Sequence, residues 1–247
     1  MIAELLLAAA LGTSPAPGPT ASPTASPTAS PTASPVERPA AGPTTLDGVK
    51  VQLRAGTEQV VTVNHSDGYR ARVTFWKLTD TGWRARFGAE DGRIGYGGLV
   101  RGTKRVQSTG TTPLGTYALP WAFGMEGADA RWKLRYRQVE SGDFWVQDNE
   151  SAYYNRYRNQ AQGGFRWWLP SSDPDSSERL TDFRHQYRIA VVTDFNVAQV
   201  RHRGAGIFLH VNGAGATAGC VSAPGRFLDR LMRVLDPDRV PVIAVGR

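Results

Sequence analysis

The sequence predicts a mainly β domain, a sandwich or barrel, with one helix near the C-terminus. Three observations predict it. Short runs with period-two alternation recur along the chain, turns containing Gly and Asp separate them, and helical periodicity is confined to one stretch near the end. At 247 residues the chain is long enough for one substantial domain, with or without a tail.

Residues 2–12, IAELLLAAALG, form an apolar run. It is shorter than the roughly 20 residues a helix needs to span a bilayer, so no stable membrane span is expected beyond a signal or anchor here. It reads as the hydrophobic part of a secretory signal over residues 1–19. Glu4, and the lack of Lys or Arg before the run, depart from that pattern; a true start upstream would account for both. Residues 20–35, TASPTASPTASPTASP, repeat one tetrapeptide four times. Such a segment cannot bury a core, and proline at every fourth position favours an extended spacer. Residues 20–45 are therefore expected to be a disordered stalk, and residues 46–247 one folded domain.

Within that domain VKVQL (49–53), EQVVTV (58–63), RVTFWKL (72–78), IAVVTD (189–194), IFLHV (207–211) and VPVIAV (240–245) read as strands. SDG at 66–68 and TDTG at 79–82 read as turns. The helix is expected after Ser222 as N-cap, because Phe227, Leu228, Leu231, Val234 and Leu235 recur at helical spacing and Pro237 marks its stop.

The formal charge is +7 with a sequence pI near 9.8, and lysine occurs only at Lys50, Lys77, Lys104 and Lys133, so arginine dominates. Such a surface suits a polyanionic partner. An exported protein is more consistent with anionic cell-wall polymers than with nucleic acid. Residues 130–187 interleave arginines with Trp132, Tyr136, Trp145, Tyr153, Tyr154, Tyr157, Trp167, Trp168 and Tyr187. These rings either form a cleft for a sugar–peptide polymer or pack beneath a long connection.

Cys220 is the only cysteine. Outside the cell a lone thiol cannot form an internal disulfide and is open to oxidation, so it is either chemical or buried and inert. Alternation in IFLHV puts Ile207, Leu209 and Val211 on one face and Phe208 and His210 on the other. The Asn212–Gly213 pair signals a hairpin-like turn that would return TAGCV beside the strand and bring Cys220 to His210. A thiolate–imidazolium pair, favoured by a following helix N-terminus, would be nucleophilic. The amides of Ala218, Gly219 and Cys220 would hold an oxyanion, which completes the parts for acyl transfer. Zinc ligation by His202, His210 and Cys220 is disfavoured by the absence of a CxxC pattern. His65 and His185 read as surface or core histidines. No metal is expected.

GIFLHVNGAGATAGCVSAP (206–224) resembles the active-site segment of the L,D-transpeptidase (YkuD-type) catalytic domain. GTTPLGTYAL (110–119) resembles that family's TPxGxF/Y segment. DFWVQDNESAYYN (143–155), SSERL (176–180) and YRIAVVTDFN (187–196) resemble segments of a secreted actinobacterial-type branch. The resemblance implies the family's β-rich catalytic fold and extracytoplasmic action on peptidoglycan stem peptides, with no metal or organic cofactor. Cys220 would be the nucleophile, His210 the general base, and a 3–3 crosslink between stems the product. Tyr187, Asp148, Asn149 and Asn155 would line the cleft, and the protein would act as a monomer. Two positions depart from the commoner motif: Ala218 replaces its second histidine, and Ser222 stands where an arginine is frequent. The His–Cys spacing is also shorter. An L,D-carboxypeptidase, resolving the acyl-enzyme with water, and a non-catalytic wall-binding module are the alternatives.

Overall fold

The structure, a computed structural model, describes residues 40–247. The expected signal, and the stalk as far as residue 39, lie outside the described residues. The first strand, β1 (Gly42–Leu46), spans the expected domain boundary and pairs antiparallel with β2 (Val49–Leu53). The chain then forms β3 (Gln59–His65), β4 (Arg70–Thr79), β5 (Gly82–Arg93), β6 (Leu99–Arg101), β7 (Thr112–Ala118), β8 (Trp121–Gly124) and β9 (Tyr136–Gln138). Three short strands follow, β10 (Asp143–Trp145), β11 (Tyr157–Asn159) and β12 (Glu178–Arg179). The C-terminal part contains β13 (Ala190–Val192), β14 (Phe208–Val211), β15 (Val221–Ala223), the helix α1 (Gly225–Val234) and β16 (Val242–Gly246). The mainly β expectation with one α-helix therefore holds for the described residues.

Eleven strands form one sheet in the order β6-β7-β16-β3-β4-β5-β15-β14-β13-β8-β9. Covalent connectivity forces this sheet to curl. β7 and β8 lie eight places apart in that order, about 38 Å in a flat sheet at ~4.8 Å per strand. Only Leu119 and Pro120 join them, and three Cα steps reach at most about 11 Å. The sheet must close on itself, as a barrel does. Hydrogen bonds mark the seam: the Asp194 amide donates to Ala118 O, and the Ala118 amide donates to Asp194 Oδ1 at 2.7 Å. Register shifts between Ala71 and Val73 and between Phe75 and Trp76 in the long β4–β5 pair supply local bending.

The principal core takes alternate residues of the strands, among them Val61, Val63, Val73, Phe75, Leu209, Val211, Ile243 and Val245. Phe227, Leu228 and Leu231 of α1 seal it. Val234, at the last turn, is exposed, while Leu235 is buried just beyond. The helix starts after Pro224 and not after Ser222. Proline fits a helix start because its fixed φ is compatible and its missing N–H would be unpaired there. The Ser222 hydroxyl instead donates to Asn212 Oδ1 at 2.7 Å.

A second, aromatic core lies on the other face, where the small sheet β11-β10-β12 packs. Phe123, Trp145, Tyr187 and Phe208 meet edge-to-face or stacked, with centroids 4.8 to 6.4 Å apart. Most rings of the 130–187 segment are thus packed beneath a long connection. Tyr153, Trp167 and Trp168 are exposed.

Replacing Asp194 with alanine removes the acceptor for the Ala118 amide and the ionic partner of Arg54 at the seam. Urea unfolding should show a loss of about 1–3 kcal/mol, the usual cost of orphaning a partly buried donor.

Candidate active site

The site is built by β14 and β15. Leu209 and Val211 enter the principal core, and Phe208 enters the aromatic one, as the alternation predicts. The connection to β15 is not hairpin-like. β14 and β15 are parallel, with Leu209 opposite Val221, His210 opposite Ser222 and Val211 opposite Ala223. Four-residue β14 is short, so the nine residues 212–220 suffice to carry the chain back to its start. Asn212 makes no tight turn. Its side chain donates to Asp91 O at 2.7 Å, and its amide donates to Ala223 O. The result keeps the expected neighbours: Cys220 lies beside Phe208 on the face that also presents His210, one side-chain step farther along.

Cys220 and His210 line one cavity of about 690 Å³. The thiol donates to Gly206 O at 3.1 Å, and the sulfur accepts the Phe208 amide at 3.4 Å. It is therefore not hydrogen-bonded to the imidazole. His210 Nδ1 lies 2.8 Å from Val211 O, a contact that requires the proton on Nδ1. Nε2 then carries the lone pair. No buried side-chain nitrogen or oxygen among the described residues lacks a partner, so Nε2, which has none, is open to the cavity.

Burial holds both groups neutral. It pushes the Cys220 thiol up to about 12, assisted by the charge of Glu178 and opposed by the Phe208 amide and Arg105. It lowers His210 to about 4 against the bond to Val211 O. The resting site is thus a neutral thiol and a neutral imidazole and not the expected thiolate–imidazolium pair. The helix dipole does not alter this: β15 separates Cys220 from Gly225, the first residue of α1, and a dipole acts over about one turn.

Of the three amides expected to hold an oxyanion, that of Gly219 donates to Thr217 Oγ1 at 3.1 Å. Thr112, buried at the start of β7, donates its hydroxyl to Gly219 O at 2.8 Å. In the trans peptide the Cys220 N–H must then point away from Thr112. Gly219 has φ +129°, and a Cβ there would sit 2.7 Å from Arg105 Nη2 and 2.9 Å from Thr111 O. Glycine is needed for this close packing.

Among the expected cleft residues only Tyr187 lines the cavity. Its ring meets His210 edge-on at 5.4 Å, and its hydroxyl donates to Glu178 Oε1. The other three are structural. Asp148 is buried against Arg166, 2.5 Å away, and Asn149 Nδ2 donates to Asp175 at 2.6 Å. Asn155, with φ +55°, accepts from Trp145 Nε1 and the Gly206 amide and donates to Phe195 O and Asn196 O. It thereby fixes Gly206, whose carbonyl receives the thiol. His202 and His185 are exposed, and His65 Nε2 meets Gly68 O. Among the described residues no three His, Cys, Asp or Glu side chains are grouped to hold a metal.

Sequence reasoning missed Arg105, Thr112 and Glu178. Glu178 lines the cavity, accepts from Gln147 Nε2 at 3.3 Å, and is pushed up to about 7 by burial against its hydrogen bonds. Thr112 and Glu178 lie inside quoted motifs, but nothing in the local spacing marks them as neighbours of Cys220. Arg105 lies outside every quoted motif.

No family model matches the chain, and no curated protein matches it. Among solved structures, an L,D-transpeptidase from Mycobacterium smegmatis is similar at 13% identity with a TM-score of 0.37. The alignment covers 82% of this chain and 65% of that one, so this chain spans less than two thirds of that protein.

Three outcomes follow from the charges and the scaffold. A carboxyl raised from 4.5 to about 7 stabilises the fold below its unfolded value, and that contribution is lost as pH rises through about 7. His210 has the opposite sign: its contribution is present above 6.5 and lost as pH falls through about 4. Between pH 5 and 8, Glu178→Gln should therefore lose less stability than the parent protein. The expected difference is on the order of 2–3 kcal/mol in urea titrations. The same variant should accelerate alkylation of Cys220 at pH 8 by iodoacetamide, by up to about tenfold, because one charge that raises the thiol is gone. Asn155→Ala strips four buried hydrogen bonds from beneath Gly206 and should destabilise the domain by about 3 kcal/mol or more.

Proposed function

We propose that the protein is a cysteine-dependent acyltransferase of the L,D-transpeptidase type, acting on peptidoglycan stem peptides outside the cytoplasmic membrane. One observation carries the reading: a thiol and the unprotonated Nε2 of a neutral imidazole open onto the same cavity. The sequence motifs around both residues agree with it.

In this reading a tetrapeptide stem enters with the carbonyl before its terminal D-alanine at the sulfur. The thiol turns from Gly206 O and gives its proton to His210 Nε2 as sulfur bonds to the carbonyl carbon. The amides of Cys220 and Ala218 face the developing oxyanion, since that of Gly219 is engaged by Thr217. The C–N bond then breaks, the imidazolium returns its proton to the departing D-alanine amine, and a thioester remains. An acceptor amine of a second stem attacks the thioester, and sulfur leaves as the thiol. Burial disfavours a separate proton transfer from the thiol to the imidazole, so in this reading transfer and attack are concerted and no thiolate forms first. The basic arginine-rich surface suits anionic wall polymers as a further partner.

A second reading is favoured by the same sulfur: held by Gly206 O and Phe208 N, and kept neutral, it resembles an inert core thiol in a wall-binding module. Intact-mass analysis separates the two. Incubation with a disaccharide-tetrapeptide should give a thioester on Cys220, release D-alanine and yield dimers. Cys220→Ala should abolish all three, and His210→Ala should slow acylation about 10²- to 10⁴-fold. Tripeptide without dimer would indicate a carboxypeptidase. No adduct with a tetrapeptide or a carbapenem, with wall binding retained, would establish the binding module.

A further inference from the structure

The cavity holds a cation that no carboxylate pairs with. Arg105 is 6% exposed, yet its guanidinium meets only carbonyls: Nε donates to Thr111 O at 2.7 Å and Nη1 to Arg203 O at 3.1 Å. Phe195 lies beneath it, 5.7 Å from Cζ. The groups that act on it most strongly are Cys220, Tyr154, Tyr117 and Tyr96, none of them a carboxylate. Arginine buried to this extent is ordinarily paired, because an unpaired buried charge is costly.

Nη2 has no acceptor. Every buried side-chain polar atom among the described residues has a partner, so Nη2 is not sealed, and Arg105 lines the cavity that Cys220 shares. The backbone is shaped around this group. Gly204 (φ +98°) and Gly219 (φ +129°) flank the guanidinium, and a Cβ on either would strike it, 1.4 Å from Nη1 and 2.7 Å from Nη2 respectively. Gly219 directly precedes the nucleophile, which brings the free Nη2 close to the reacting sulfur. Glu178, the carboxyl that also acts on Cys220, is engaged by Tyr187 and Gln147 and forms no ion pair with Arg105.

We infer that Arg105 is the specificity residue of the site, and that its free Nη2 receives the C-terminal carboxylate of the residue that leaves. The inference rests on the acyl-transfer reading. A scissile bond at the sulfur puts the α-carboxylate of a single leaving residue within one residue of the attacked carbonyl, and that is the nearest anion such a substrate offers. A guanidinium binds it with charge and direction together. A chain that continues past the leaving residue, or ends in an amide, lacks the charge and leaves Nη2 unanswered. The site is thereby restricted to the last bond of a peptide.

The test uses two donor peptides of identical sequence, one ending in a free carboxylate and one in a carboxamide, with thioester formation on Cys220 followed by intact mass. The parent protein should acylate with the carboxylate at least about 100-fold more efficiently, the order expected when a site built for a charged partner meets a neutral one. Arg105→Gln should reduce that ratio to within about threefold, with the loss concentrated in KM for the free-carboxylate peptide. Arg105→Lys, which keeps the charge if the glutamine variant does not fold, should retain an intermediate preference. Equal rates with both peptides in the parent protein would overturn the inference. So would an Arg105→Gln protein that slows both peptides alike and keeps the ratio, which would make the arginine a counter-ion of the thiolate. A parent protein that forms no thioester with either peptide refutes the acyl-transfer reading and the inference with it.

Discussion

The parallel pairing of β14 with β15 is the constraint on which the site depends. Two strands of four and three residues, joined by nine, place Cys220 beside Phe208 and put the thiol and His210 on one face. That face is held in turn by the curled sheet. β7 lies far from β15 in the strand order, yet its Thr112 hydroxyl reaches Gly219 O, an approach that only the closed sheet permits. The Thr–Pro segment at the start of β7 therefore acts at a distance in sequence, by fixing the peptide that precedes the nucleophile.

Burial sets the electrostatic character of the site. A thiol, an imidazole and a carboxyl sit within the wall of one cavity, and each is shifted toward its neutral form. A neutral pair is less exposed to adventitious oxidation than a thiolate, since oxidation follows thiolate character. Under the proposed action outside the membrane, that would be a physical reason to keep the cysteine in this way. The charge needed for reaction would then develop only when the carbonyl arrives, where the Cys220 amide and Arg105 lie close.

Much of the fold was legible from alternation. VKVQL coincides with β2, and five further runs fall on β3, β4, β13, β14 and β16 within a few residues. The strands that escaped notice did so for different reasons: β5 is largely exposed, β8 and β10 are buried on both faces, and β1, which does alternate, falls largely in the segment expected to be a stalk. Cys220 and His210 were legible because a lone cysteine and a strand histidine stand out by type. The hairpin-like connection was misread because Asn–Gly is a turn signal only when its flanks pair antiparallel, and here Asn212 is held by Asp91 and Ser222. Asp148, Asn149 and Asn155 were expected in the cleft from the family resemblance of the segment that contains them, which does not fix the direction of each side chain. Their hydrogen bonds turn inward, to Arg166, Asp175 and the backbone around Gly206. Arg105 was illegible for the opposite reason: in an arginine-rich chain nothing local distinguishes a buried guanidinium from a solvated one.

The central claim is that a neutral thiol is activated by a neutral imidazole within the acylation step. The rate of thioester formation on Cys220 from a stem tetrapeptide, measured between pH 5 and 8, tests it most directly. His210 stays unprotonated down to about 4, so the rate should hold, or rise slightly as Glu178 loses its charge, when the pH falls from 7 to 5. A tenfold fall for each pH unit across that range would show that a preformed thiolate is the reactive species and would contradict the account.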